Sequence, residues 1–259
     1  MSGRAKVGQQ TGAVAVTFVG ASGRVSSDRM SIEIRNVSKT YVTRGLRRNV
    51  FRNFNLTIPR GVNFGVIGPN GSGKSTLLSL IAGSLMPDTG KVIHRMSVSW
   101  PIGYSGIVDT NLSGVLNCKF IARVYDKNPQ EVVEFVGDFT ELGEYMKYPV
   151  KTYSAGMRSR LNFAMSLAID FDCLVVDEGM AAGDGYFQLK AEKVLQERKG
   201  RCSLLYVSHN IAEVSRLCDQ LLVLGGPEPE MSFDVPARVQ QYAEEMARRP
   251  GKLPVAIPS

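Results

Sequence analysis

Hydrophobic and polar residues alternate in the stretch Met30-Ser31-Ile32-Glu33-Ile34-Arg35-Asn36-Val37, which predicts a first strand with one buried face. Three later runs are apolar almost throughout: Asn63-Phe64-Gly65-Val66-Ile67, Cys173-Leu174-Val175-Val176 and Ser203-Leu204-Leu205-Tyr206-Val207. Such runs predict short strands covered on both faces, as in a parallel sheet. Helical spacing takes over in residues 76–82 and 158–168, and again at Val235, Val239, Tyr242 and Met246, where Arg248-Arg249-Pro250 ends the pattern. Buried strands interleaved with helices predict an α/β fold. The 259 residues suffice for one large domain or two lobes sharing a core. A sheet lobe is expected over about 31–100 and 166–230, and a helical lobe over about 101–165. The domain as a whole is placed at 30–230, with a short C-terminal helix and tail over 231–259.

The first of the buried runs leads into Gly68-Pro69-Asn70-Gly71-Ser72-Gly73-Lys74-Ser75-Thr76, which satisfies the phosphate-loop pattern in its required strand-to-helix setting. Glycines let the backbone fold around phosphates with its N–H groups turned inward, Lys74 can reach the β and γ phosphates, and Ser75 can offer its hydroxyl to Mg²⁺. The helix that follows adds a favourable dipole for anions. The loop predicts binding of a nucleoside triphosphate without choosing among kinases, GTPases, helicases and transport ATPases.

Two acids, Asp177 and Glu178, end the second buried run. At the C-terminal edge of a parallel sheet, beside the phosphate loop, Asp177 can hold Mg²⁺ and Glu178 can deprotonate the attacking water. Taken alone, the pair would equally suit a solvated strand end. Tyr153-Ser154-Ala155-Gly156-Met157 opens another helix with Ser154 as its cap. That segment reads either as a capped core helix or as a second place for phosphate oxygens, contributed to a nucleotide held mainly by another copy of the chain.

In order, Tyr41, the phosphate loop, Tyr-Ser-Ala-Gly-Met, Asp177-Glu178, Asp184 and Ser208-His209 resemble the nucleotide-binding domain of an ABC transporter, over roughly residues 31–230. The resemblance implies a RecA-like core sheet with the phosphate loop, an antiparallel β lobe and a helical lobe. It further implies that residues 153–157 are the signature segment, in a form lacking the usual leucine start and central Gly-Gly-Gln, and that Asp184 lies in the loop crossing the dimer interface. His209 would contact the γ-phosphate and Tyr41 would stack on adenine, where residues alone allow a structural histidine and a packed strand aromatic. The stretch 96–106 contains no glutamine at the place where the family usually carries one. The metal shell is then left to water or another side chain, and hydrolysis is expected to be slow or dependent on the assembled complex. Trp100-Pro101-Ile102, residues 117–125, the signature variant and residues 177–187 are most similar to the capsular polysaccharide exporter ATPases of Gram-negative bacteria. O-antigen exporters with a glycan-binding domain would need a longer C-terminal extension than the tail after about residue 230. Other surface glycans such as O-antigen or teichoic acid, and a soluble ABC ATPase on ribosomes or DNA, stand as alternatives. The single phosphate loop and the lack of sustained heptads count against the last.

The resemblance also implies ATP and Mg²⁺ as cofactors, a homodimer of ATPase subunits, polytopic permease subunits and an export partner spanning the periplasm. Composition bears on where this takes place. No stretch approaches the roughly 18–20 uninterrupted apolar residues that cross a bilayer, so the membrane path is expected from another chain. Cys118, Cys173, Cys202 and Cys218 show neither metal-type clustering nor secreted disulfide spacing, which fits a reducing cytoplasm. The net charge of +7 suits an anionic membrane surface or nucleic acid, but the positive residues are spread, and no RNA or DNA binding is read from them. A modest cluster, Arg44, Arg47 and Arg48, has three possible fates: phosphates, lipid headgroups or water. Residues 1–29 carry Arg4 and Lys6 before a short, interrupted apolar segment that faintly resembles a signal peptide. They are read as a loose leader, with Met30 as a candidate start of the domain and of translation, and the whole is expected at the cytoplasmic face of the inner membrane.

Overall fold

The computed structural model describes residues 31–43, 45–102, 105–177, 185–198, 201–208 and 210–248. β1 (Ser31–Thr43) and β2 (Leu46–Pro59) form a long antiparallel hairpin. The alternation of β1 breaks for a physical reason. Ile32, Ile34 and Val37 are all buried, and the extra residue between Ile34 and Val37 is taken up by a register shift at Asn36, whose φ is 51°. Asparagine tolerates that left-handed conformation, so the bulge returns Val37 to the inner face. After β3 (Asn63–Ile67) and α1 (Lys74–Ile81), β4 (Thr89–His94) pairs with β1 to give a three-stranded antiparallel sheet, ordered β2-β1-β4.

The second sheet has six strands. β5 (Val98–Ile102), β6 (Cys173–Asp177), β7 (Ser203–Val207), β3 and β8 (Gln220–Val223) run parallel, and β9 (Glu230–Ser232) closes one edge antiparallel, in the order β5-β6-β7-β3-β8-β9. The continuous apolar runs of β3, β6 and β7 follow from this position, because both faces of the sheet are covered. Phe64, Val66, Val175, Leu205 and Val207 face a core shared with α1 and the antiparallel sheet. Ile67, Leu174, Val176, Leu204 and Tyr206 belong to the opposite core, with the remaining helices.

Between β5 and β6 the chain makes a helical lobe: α2 (Gly114–Val124), α3 (Pro129–Thr140), two short 3₁₀ turns and α4 (Ala155–Ala168). Each helix start carries its own stop signal for the preceding loop. Ser113 accepts a hydrogen bond from Leu116 N–H at 3.2 Å, and Asn128 accepts one from Gln130 N–H at 2.9 Å with Pro129 in the first turn. β5 keeps Pro101 and Ile102 in the sheet, and the first α-helix of the lobe begins at Gly114. Pro101 is tolerated because β5 is an edge strand. α5 (Gly185–Glu197) and α6 (Ile211–Leu217) cover the same face of the sheet, and α7 (Val235–Ala247) closes the described chain. α7 is pinned by Arg238, only 7% exposed, which pairs with Glu230 at 3.0 Å and Glu245 at 3.3 Å.

All four cysteines are buried and free. Burial pushes the thiols of Cys118 and Cys173 up to about 12 from an ordinary 9.0. In the unfolded chain those thiols ionise near pH 9, whereas in the folded chain they stay protonated, so their contribution to stability is full below pH 9 and is lost as pH rises from 9 to 12. Urea titrations at pH 7, 9 and 10.5 are expected to give a falling unfolding free energy above pH 9, and Cys118→Ala/Cys173→Ala should flatten that fall. A fall of equal steepness in the double variant would show that other groups govern it.

Candidate nucleotide-binding site

β3 delivers the chain into the phosphate loop from a fully buried strand. Gly71 (φ 77°) and Gly73 (φ 105°) take left-handed conformations that a side chain would strain. Gly73 stands at the N-cap of α1 with no side-chain cap bond, so the first N–H groups of that helix are left for a ligand. Ser72 N–H donates to Pro69 O at 3.1 Å, closing the turn. Lys74 is 7% exposed, and its ammonium donates to Gly68 O at 2.7 Å and Pro69 O at 3.2 Å, folded back over its own loop. Ser72 Oγ is buried with no hydrogen-bond partner among the described residues. A cradle of inward N–H groups with an orphaned hydroxyl and a folded-back cation fits a polyphosphate.

Above the loop, the β1–β2 hairpin roofs a cavity of about 740 Å³. Tyr41 and Arg48 line it from the roof, and Asn70, Lys74, Ser75 and Thr76 from the floor. Its described lining holds two cations, Arg48 and Lys74, and no carboxylate. Tyr41 keeps 41% of its surface exposed and brings its hydroxyl to 3.4 Å from Thr76 Oγ1. Arg48 donates from Nη2 to the carbonyl of Gly71. Tyr41 and Arg48 are direct cross-strand partners, so both side chains face the loop. Thr43, Leu46 and Val50 also line the cavity, and only a correct placing of the hairpin turn would have revealed them.

Asp177 is the last residue of β6, half-buried, at the same C-terminal sheet edge as the phosphate loop. It does not adjoin the loop strand. β7 lies between, with Val207 paired to Asp177 on one side and to Val66 on the other, so two strand spacings, about 10 Å, separate Asp177 from β3. Glu178, Asp184 and His209 lie outside the described residues. Residues 98–102 supply packing: Trp100 meets Phe171 edge-on at 5.2 Å and lies 5.8 Å from Tyr125.

The signature-like segment sits in the other lobe, away from the cavity lining. Ser154 caps α4 by accepting from Met157 N–H at 3.2 Å. Ser154 and Ala155 are exposed, while Gly156 and Met157 are half-buried. The tyrosine that begins the segment has a clear purpose. Tyr153 is 3% exposed and its hydroxyl donates to Tyr145 O at 2.6 Å. Burial raises its phenol above the ordinary range, which keeps the hydroxyl a donor. Gly114 makes room for it, since a Cβ there would come within 2.7 Å of the hydroxyl and 3.0 Å of Met146 Sδ. Tyr153→Phe is expected to cost about 1 kcal/mol of unfolding free energy in urea by orphaning the Tyr145 carbonyl, and Gly114→Ala about 1–3 kcal/mol by overpacking. Two variants as stable as the parent would mean that this contact does not hold the start of α4.

Comparison with known proteins agrees with this geometry. The ABC transporter family pattern matches residues 51–181. The chain is similar to the polysialic acid transport ATP-binding protein KpsT of Escherichia coli, 45% identical over 74% of this chain and 87% of that protein. It is 42% identical to the capsule polysaccharide export ATP-binding protein CtrD of Neisseria meningitidis serogroup B, over 74% of this chain and 89% of that protein. Among solved structures, the dimeric post-hydrolysis ATP-binding cassette MJ0796, bound to ADP and Pi, aligns with a TM-score of 0.66 over 77% of this chain and 97% of that one. Its 21% identity makes that a likeness of fold. With the pattern running from β2 past β6 and close relatives matched over nearly their full length, the chain belongs to the ABC transporter family as an ATP-binding, ATP-hydrolysing cassette.

Proposed function

We propose that this chain is the ATPase subunit of an ABC exporter that moves capsular polysaccharide, as a lipid-linked glycan, across the inner membrane. The observation that carries the reading is the 45% identity to the E. coli polysialic acid transport ATP-binding protein over 87% of its length. In the site, the phosphates of ATP lie on the N–H groups of residues 70–76, and Lys74 turns from its own loop carbonyls to the β and γ oxygens. Ser75 and Asp177 are the residues that would hold Mg²⁺, which would supply positive charge beside the phosphate oxygens. Glu178 takes a proton from water, whose oxygen attacks the γ phosphorus as ADP departs. His209 steadies the γ-phosphate, and Tyr41 stacks on the base.

Two copies close on two nucleotides. Ser154, Ala155, Gly156 and Met157 of one copy present the start of α4 to the phosphates held by the other, with Asp184 crossing between them. The separation of the signature segment from the cavity in one chain supports this reading, because the segment has no phosphate to serve within its own copy. No helix among the described residues is long and apolar enough to cross a membrane. A polytopic permease then supplies the path, with a periplasm-spanning partner beyond it, and the ATPase sits at the cytoplasmic face. Leu116, Phe120 and Val124, four residues apart along α2 and all exposed, with exposed Leu112 just before the helix, support docking on the helical lobe. The spread positive charge suits the anionic membrane surface, and no nucleic acid is involved.

The test is to extract the tagged protein from its native membrane in detergent, identify what co-purifies and assay the complex for ATP turnover. A stoichiometric multi-span partner is expected. Glu178→Gln should keep ATP binding and lose on the order of 10²-fold or more in turnover, and Lys74→Ala should lose productive binding. Unchanged turnover in Glu178→Gln would remove that residue as the base, and recovery with ribosomes or DNA in the soluble fraction would overturn the transport reading.

A further inference from the structure

Arg48 lies outside the phosphate-loop motif, yet it touches the loop. Its position is fixed twice over. Cross-strand pairing with Tyr41 puts the two side chains on one face of the hairpin, about 5 Å apart at Cβ. Tyr41 reaches the far end of the loop at Thr76, and Arg48 reaches its middle at the Gly71 carbonyl. The roof therefore spans the loop with one aromatic and one cation. Glycine at position 71 is part of the fit, because a Cβ there would come within 2.8 Å of Arg48 Nη2.

A guanidinium carries five N–H donors, and among the described residues Arg48 uses them on one neutral carbonyl, with no carboxylate beside it. From the other side, the Lys74 ammonium donates to the carbonyls of Gly68 and Pro69. Two cations thus converge on one loop, and the backbone oxygen that Arg48 holds is a partner that a phosphate outcompetes, since a charge-assisted hydrogen bond is roughly twice as strong as a neutral one. Arg adds a planar fork that matches phosphate geometry, which a lysine point charge does not.

We propose that Arg48 is a second phosphate-binding cation of the nucleotide site, one that leaves the Gly71 carbonyl for the polyphosphate when the nucleotide binds. The proposal rests on the reading of the cavity as an ATP site. It assigns to the β1–β2 hairpin a share of phosphate recognition beside its contact with the base, so the roof senses how many phosphates the ligand carries.

Titration calorimetry of the full chain with ATP, ADP and AMP, and with adenosine by displacement, tests this on the parent and on Arg48→Ala, Arg48→Gln, Arg48→Lys and Lys74→Ala. Gln can still donate to the Gly71 carbonyl but carries no charge, so it separates gripping a phosphate from bracing the loop. Arg48→Ala and Arg48→Gln are both expected to weaken ADP and ATP about tenfold while leaving adenosine unchanged, with a shallower dependence of affinity on salt; Arg48→Lys should recover most of the loss. Parent-like ADP affinity in Arg48→Gln would overturn the proposal in favour of a loop brace, and parent-like affinity in Arg48→Ala would leave the residue no role at all. An equal loss for adenosine and ADP would also overturn it, as damage to the pocket. In those cases Lys74→Ala would still lose ATP, keeping the ATP site intact. A parent that binds no nucleotide would instead sink the site and the proposal together.

Discussion

Everything in the cassette is arranged around the five residues of β3. The strand is enclosed on four sides: β7 and β8 pair with its edges, and a separate core packs on each face. Its start is tied by Asn63, whose Nδ2 donates to Leu217 O at 2.9 Å and whose N–H donates to Asp219 Oδ2 at 3.1 Å. Its end is tied by Leu224 N–H, which donates to Ile67 O at 2.8 Å. With no freedom left in the strand, the loop that follows starts from a fixed point and a fixed direction. The loop then stores its anion-binding geometry in backbone torsions rather than in flexible side chains, which is why its cost falls on glycine and its precision on the sheet.

The roof is held to this floor by contact. A Cβ on Gly73 would stand 2.7 Å from Val50 Cγ1 and 3.2 Å from Phe51 Cζ, so β2 rests directly on the loop. Phe51 in turn stacks on Phe54 at 4.9 Å within the core that also buries α1. The hairpin, the loop and the helix behind it therefore pack as one unit, and the cavity between them is set by the rigid lean of the hairpin. Tyr41 and Arg48 project from the half of the hairpin beyond this anchor, where β1 and β2 are solvent-exposed.

What could be read from the sequence depended on how far apart the interacting residues were. β3, β6 and β7 were legible because strands buried on both faces lose alternation and become short apolar blocks, and those blocks survive without knowledge of their partners. The phosphate loop was legible for the same reason: its chemistry is complete within nine consecutive residues. β1 was legible only to Val37, since Ser38, Lys39 and Thr40 continue the strand with polar side chains and no apolar signal. β2 gave no clear pattern, for Leu46-Arg47-Arg48-Asn49 lies in the exposed half of the hairpin. Arg48 was hidden by the same circumstance. Its role rests on lying opposite Tyr41, a pairing fixed by the turn between β1 and β2 and not by either residue's neighbours in sequence. The strand between Asp177 and the loop strand is likewise a matter of topology, which no local pattern records.

The two lobes divide the chemistry unequally, and the division has an electrostatic logic. The sheet lobe gathers two cations, Arg48 and Lys74, on the loop, with no acid in the described cavity lining, so the cavity favours an anion. The helical lobe presents the start of α4, capped by Ser154, whose dipole offers about half a charge. A polyphosphate therefore binds first and mainly to the sheet lobe, where full charges and inward N–H groups act together. Only afterwards, with its own negative charge facing outward, does it become attractive to a weak dipole such as the start of α4. In the proposed pair of copies, that order makes the nucleotide the element that joins them, and it accounts for the stronger grip, including the cation proposed for the hairpin, being kept within one chain.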